Sequence, residues 1–241
     1  MSKRTILVFF NGISFEIPFF ILYFCDMCEK LIIPSKTERL MQKSPFLFTR
    51  GHDFVEIGGI KWATCNVGGE KPTDTGLYFQ WGNVKPCYIK GSIMYENVKK
   101  RNVTDMKDII EISDDAVHAA WGGTWRLPTI SEWRTLVNSV VPEWTTDYQG
   151  SGVVGLVCTD KTDSSKVLFF PAAGYCMCVS ETGYLNKIYC KDTVIYCWSN
   201  TAFVDGDGCS YAASFINNGK IYLDNAYIRT VGFTVRGVLN S

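Results

Sequence analysis

Short apolar runs closed by glycine recur along this chain, and that punctuation leaves room for little except a sheet-rich fold. Phe54-Val55-Glu56-Ile57 and Ile60-Lys61-Trp62-Ala63 alternate around Gly58-Gly59, a pair suited to the positive φ angles of a two-residue hairpin turn. Leu77-Tyr78-Phe79-Gln80-Trp81 is an aromatic strand-like run ending at Gly82. Val153 to Thr159, a polar turn from Lys161 to Lys166, and Val167-Leu168-Phe169-Phe170 running into Pro171 form another strand pair. Ser214-Phe215-Ile216 and Lys220-Ile221-Tyr222 flank Asn217-Asn218-Gly219, which carries the Asn-Gly signal of a tight turn. Gly232 to Val238 alternates as a final strand.

Two windows read as helix. Ser113 precedes Asp114 and Asp115, acidic residues favoured at a helix N-terminus, and Val117, Ala120 and Trp121 share a face before Gly122-Gly123 stops the turn. Thr129-Ile130-Ser131-Glu132 is a capping box, followed by Trp133, Leu136, Val137 and Val140 at helical spacing, with Pro142 as the expected stop. Helices early and strands late, without strand–helix alternation, give an α+β class: two short helices with mostly antiparallel strands.

The expected organisation is an N-terminal segment, 1–28, acting as signal peptide or membrane anchor; a polar linker, 29–53; and one domain, 54–241. Lys3-Arg4 followed by Ile6 to Phe10 and Ile17 to Cys25 has the basic start and apolar run of an export signal, interrupted by Asn11 and Glu16. Export would put the protein outside the cell or on its surface. A folded N-terminal segment is the alternative.

Lys+Arg and Asp+Glu stand at 24 each, so no positive field gathers phosphate backbones and nucleic acid is not an expected partner. His52 and His118 are the only histidines; His118 sits beside Val117 and Ala119 with no nearby nucleophile in sequence, and no local signature suggests Ser-His-Asp or Cys-His catalysis, so no catalytic residue is assigned. Cys25/Cys28 and Cys176/Cys178 are close pairs without a matching second pair, so no metal and no cofactor are expected. Cys190 and Cys197 could pair across a hairpin in an exported protein, with Cys176 or Cys178 as alternatives; free buried thiols are the other reading. Asp205-Gly206-Asp207-Gly208 offers two carboxylates, too few for an EF-hand and ordinary for a turn.

The order Trp62-Ala63-Thr64-Cys65-Asn66-Val67-Gly68, Gly76-Leu77-Tyr78-Phe79-Gln80-Trp81-Gly82, Trp121-Gly122-Gly123-Thr124-Trp125-Arg126-Leu127-Pro128-Thr129 with Glu132-Trp133, Phe170-Pro171-Ala172-Ala173-Gly174-Tyr175, Trp198-Ser199, Ala226-Tyr227 and Gly232-Phe233-Thr234-Val235-Arg236 resembles the Fibrobacter succinogenes major paralogous domain. The motifs span about residues 54 to 238. The resemblance implies a C-type-lectin-like fold related to formylglycine-generating enzymes, in exported or surface proteins of Bacteroidetes-type bacteria and their phages. It also implies a candidate variable protein of a diversity-generating retroelement, in which exposed residues near the C-terminus vary on a fixed framework. The cysteine pair that binds copper in formylglycine-generating enzymes has no counterpart in the closing strand, and Cys209 stands alone in its neighbourhood, which disfavours that activity.

The tryptophans Trp62, Trp81, Trp121, Trp125, Trp133 and Trp198 are read as core. The expected ligand-binding residues are Asn200, Phe203, Asp205, Asp207, Tyr211, Ser214, Asn217, Asn218, Tyr222, Asn225 and Tyr227, because tyrosine beside short polar side chains is the mixture that adaptable binding surfaces use. The reading is a non-catalytic, surface-displayed module for a protein or glycan ligand, with an adhesin or fibre-tip assembly domain as the alternative and the oligomeric state left open.

Overall fold

A computed structural model describes residues 5–10, 13–18, 52–87, 108–177, 187–203, 209–216 and 219–240. The N-terminal stretch contains two strands, β1 (Thr5–Phe10) and β2 (Ile13–Pro18), paired antiparallel from Thr5 opposite Pro18 to Phe10 opposite Ile13. Asn11-Gly12 lies between them in sequence, a hairpin signal inside the segment expected to serve export. No helix among the described residues is long and apolar enough to cross a membrane.

The rest is α+β and sheet-rich, with two short α-helices among the described residues. It opens with the expected hairpin, β3 (Phe54–Ile57) and β4 (Ile60–Asn66), where Gly58 and Gly59 take φ 62° and 74° and Ile57 faces Ile60. The aromatic run at 77–81 shortens to β5 (Tyr78–Phe79), because Trp81 turns its backbone N–H to the Arg229 carbonyl and its Nε1–H to the Ser199 carbonyl. Then come α1 (Ala116–Trp121), β6 (Trp125–Arg126), α2 (Ile130–Ser139), β7 (Val140–Thr145), β8 (Gly155–Asp160) and β9 (Val167–Pro171). The chain continues through β10 (Tyr175–Met177), β11 (Lys187–Tyr189), β12 (Val194–Ala202), β13 (Cys209–Ile216), β14 (Ile221–Tyr222), β15 (Ala226–Ile228), β16 (Val231–Thr234) and β17 (Arg236–Leu239).

Three expectations about these elements are corrected. The cap of α1 is Asp115, two residues after Ser113, since Ile112–Asp114 forms a separate 3-10 turn. Helix α2 keeps its capping box at Thr129 and Glu132 but ends at Ser139, short of Pro142. Val140-Val141 begins β7, the outer strand of the β7-β8-β9 sheet, and an edge strand tolerates Pro142 because one side of its backbone is not needed for pairing. The closing strand is two strands, not one. β16 belongs to the large sheet and β17 pairs with β4 and β6, so the chain passes from one sheet to another at Val235, whose carbonyl accepts the Val67 N–H.

The large sheet has eight strands, with β11-β10-β16-β12-β13-β14 in order, β15 also against β13 and β5 also against β16. Its centre is apolar on both faces. Along β12, alternate residues enter different cores: Val194, Tyr196 and Trp198 pack with Trp81, Val117, Trp125 and Phe233, whereas Ile195 and Cys197 pack with Trp62, Trp133, Leu136, Leu168 and Phe170. β13 repeats the division, with Ala212 in the first core and Ala213 and Phe215 in the second. Two-sided burial explains why this strand reads as a nearly unbroken apolar run. Cys190 lies in the first core and Cys197 in the second, so the expected pairing of these two across a hairpin is not formed; Cys25, Cys28 and Cys178 lie outside the described residues.

Trp62, Trp81, Trp125, Trp133 and Trp198 are buried as expected, while Trp121 is half-buried. The junction they surround is held by Asp115. Its Oδ1 accepts the Val117 and His118 N–H groups at 2.8 and 3.1 Å, and its Oδ2 accepts the Leu127 N–H at 2.7 Å, tying the start of α1 to the strand–helix junction before α2. Asp115→Ala removes a helix cap and orphans a buried N–H, so it is expected to cost about 3 kcal/mol. Urea unfolding of the variant checks this, and a loss below about 1 kcal/mol would show that water replaces the carboxylate.

A candidate ligand-binding edge

Beyond β13 the large sheet ends in a strand interrupted by a bulge. Ser214 faces Tyr222 and Phe215 faces Ile221 in one stretch, while Ser210 faces Tyr227 and Tyr211 faces Ala226 in the other. Between these stretches Leu223, Asp224 and Asn225 stand against Ala212 and Ala213, one residue more than simple pairing allows. In an unbroken strand, residues five apart point to opposite faces. The extra residue reverses the alternation, so Tyr222 and Tyr227 emerge on the same face, flanking Ser214.

Three side chains at that edge are linked. Ser214 Oγ and the Tyr227 hydroxyl share a hydrogen bond of 3.0 Å, and Asn225 also hydrogen-bonds that hydroxyl. The Tyr227 ring packs edge-on against Tyr196 and Phe233, each 5.3 Å away, so it is anchored in the first core. Burial pushes its phenol up, against the bonds from Ser214 and Asn225. Tyr222 and Asn225 keep part of their surface in solvent. The bulge is braced from outside by Arg134 of α2, whose Nη2 meets the Asp224 carboxylate at 2.6 Å. Both partners are exposed, so this ion pair contributes to position more than to stability.

The remaining expected ligand residues do not join this cluster. Tyr211 sits on the other face, beside the second core, in edge contact with Phe203 at 5.3 Å. Asn200 is buried where the β12–β13 register shifts; its Oδ1 accepts from Thr201 Oγ1 at 3.1 Å, and its backbone bonds Pro128 and Ile110. Ser214 is also buried, at 1% exposure. The expectation that Asn200 and Ser214 offer exposed contacts is therefore corrected: both are buried with their side chains in internal bonds, and they shape the edge from beneath. Asp205, Asp207, Asn217 and Asn218 lie outside the described residues. On either side of the two aspartates in sequence, the Phe203 N–H donates to the Cys209 carbonyl at 3.2 Å.

Arg229 was not singled out by its neighbourhood in sequence. Buried to 5% exposure, its guanidinium lies 4.1 Å from the centre of the Trp81 ring, and its Nε donates to Ser210 Oγ at 2.9 Å and to the Cys209 carbonyl at 3.2 Å. It fastens the end of β15 to the first core. The only signal was an arginine directly after an apolar strand run, which is also common on surfaces.

The chemistry available elsewhere is limited by protonation. Cys65 Sγ stands 4.0 Å from His52 Nδ1, a thiol–imidazole approach. Burial pushes the thiol up and the imidazole down, so both are held neutral and not as the thiolate–imidazolium pair a nucleophile needs. Among the described residues no group of three or more His, Cys, Asp and Glu side chains is placed to hold a metal ion. No family model matches the chain, and neither a curated protein nor a solved structure matches it.

Proposed function

We propose that this chain is a non-catalytic recognition module displayed outside the cell or on its surface, binding a protein or glycan ligand at the β14–β15 edge. The observation that carries the reading is the bulge at Leu223–Asn225, which gathers Tyr222, Asn225 and Tyr227 on one face of a sheet whose centre is packed on both sides. A rigid interior with half-exposed tyrosine and asparagine at its rim presents aromatic area at low entropic cost beside adaptable hydrogen bonding. The fold we assign is C-type-lectin-like, in the manner of the Fibrobacter succinogenes major paralogous domain. Pairing of the first hairpin with the last strand, β4 with β17, supports a framework closed on itself.

Arrays of glycans and of surface proteins, probed with the full chain, test the proposal. Tyr222→Ala is expected to weaken a detected interaction by about 30-fold, the scale of a central aromatic contact, whereas Tyr211→Ala on the opposite face leaves it within about twofold. The reverse result would sink this edge as the site. Sizing across a range of concentrations separates ligand binding from self-assembly as an adhesin or fibre-tip unit. The retroelement reading is tested by nucleotide sequence: a near-copy of the C-terminal codons differing at adenines, beside a reverse transcriptase gene, is the expected signature, and its absence removes that part of the proposal.

A further inference from the structure

The described part of the domain begins at His52, and its ring is built into the fold. It lies on the half-buried Trp121, with centroids 3.9 Å apart and planes 31° apart, and meets Trp125 edge-on at 6.4 Å. Trp121 has no room to retreat, since its indole rests over Gly237 of β17, where an added Cβ would come within 2.4 Å of the ring. One residue on, the Asp53 carbonyl accepts the Thr64 N–H at 3.0 Å, which extends the β3–β4 ladder up to the histidine.

The hydrogen bonds around the ring assign its tautomer. Cys65 donates its thiol proton to the Gly69 carbonyl at 3.2 Å, so its sulfur lone pairs are what remain for His52 Nδ1, 4.0 Å away. Nδ1 therefore carries the proton and Nε2 is bare. Among the described residues Nε2 is buried with no partner, so a second proton would enter where none of them receives it. The imidazolium would gain attraction to the Trp121 face, against its lost solvation and that unreceived N–H.

The charged and titratable groups around the ring do not reverse this balance. Burial, the larger influence, holds the imidazole below its ordinary range, and Asp53 beside it opposes. From β4, burial keeps Cys65 a thiol, with Arg236 opposing and Asp74 and Asp53 adding to the rise. α1, which supplies Trp121, also carries His118, whose Nδ1 is buried without a partner among the described residues. From β6 comes Arg126, engaged by Glu132 and Asn240.

We propose that His52 is a protonation-operated latch: the neutral imidazole seated on Trp121 and Cys65 fastens the chain's entry into the domain, and acquiring a proton unfastens it. The seated form binds fewer protons than the released one, so the latch is fully held above the ordinary histidine value of about 6.5 and weakens as pH falls below it. Opening is expected to rise by up to about tenfold for each pH unit in that window.

Hydrogen–deuterium exchange of the full chain, followed in peptides spanning 53–66 and corrected for intrinsic rates, reads the latch directly through the Thr64 amide. Exchange is expected to be severalfold faster at about pH 5.5 than at about pH 7.5. His52→Phe keeps a ring on Trp121 but cannot titrate, so its exchange is expected to be equal at the two pH values, whereas His118→Gln retains the acid response. Equal exchange in the unaltered protein, an acid response that survives His52→Phe, or one abolished by His118→Gln would each overturn the proposal.

Discussion

Arg236→Ala is expected to destabilise the protein by about 4 kcal/mol, as a lowered denaturation midpoint with the slope of the transition unchanged. Arg236 is wholly buried at the point where the chain changes sheets. Its Nε donates to Asn66 Oδ1 at 2.9 Å, Nη1 to the Ala63 carbonyl at 2.9 Å and Nη2 to the Phe169 carbonyl at 3.0 Å, and its guanidinium lies 4.5 Å from the centre of the Phe170 ring. Those partners carry no full charge, so burial pulls the guanidinium below its ordinary range, to about 10, with the thiols Cys197, Cys65 and Cys158 opposing the pull. It remains charged at neutral pH, and the cost of burying it is a term that alanine relieves. Against that relief stand three charge-assisted bonds and three acceptors left dry, each an appreciable loss. Arg236→Lys is expected to recover little, because an ammonium is a compact charge and cannot span acceptors on β4 and β9 as the fork does. A loss below about 1 kcal/mol for alanine would mean that the charge costs nearly all that its bonds contribute.

Trp133→Ala is expected to be of similar size, about 4 kcal/mol. The indole has no exposed surface and touches aromatic rings in three directions: Trp62 at 4.9 Å, Phe170 at 5.7 Å and Phe215 at 6.2 Å. These belong to β4, β9 and β13, so the cavity would open between elements that cannot collapse together. Thermal and urea unfolding measure the loss. The same variant bears on function, since Arg134 is the next residue along α2 and braces the bulge through Asp224. Ligand affinity is therefore expected to fall together with stability, a correlation that Tyr222→Ala, a rim substitution, does not share.

Local features of the fold were readable where a residue's own chemistry decides the matter. Gly58-Gly59 makes a hairpin whatever surrounds it, and Thr129 with Glu132 caps a helix by bonds within one turn. Features decided by distant partners were not. Helical periodicity carries through Val140, but pairing of Val140 and Val141 with Asp160 and Thr159 takes those residues into a strand. Gly232 to Val238 alternates without a break, and only the two separate sheets reveal that Val235 divides it. Asn11-Gly12 carries a hairpin signal, but the apolar runs on either side of it also match an export segment, so the local sequence suits both. For the candidate site, composition found Tyr222, Asn225 and Tyr227, but it does not encode facing. A single additional residue between β14 and β15 decides that Tyr222 and Tyr227 share a face, while the alternation of β13 itself puts Tyr211 on the other.

Pairing of β4 with β17 joins residues at opposite ends of the domain; Arg236 bonds Asn66 across 170 positions. During synthesis the β3–β4 hairpin is made first and its inner edge waits for almost the whole domain before a partner arrives. An edge that waits is a template for the wrong strand, including the same edge on a neighbouring nascent chain. Folding is accordingly expected to be slow and to finish late. A frameshift or stop shortly before Arg236, by removing β17, would leave the earliest-made part of the domain permanently open and turn a folding delay into aggregation.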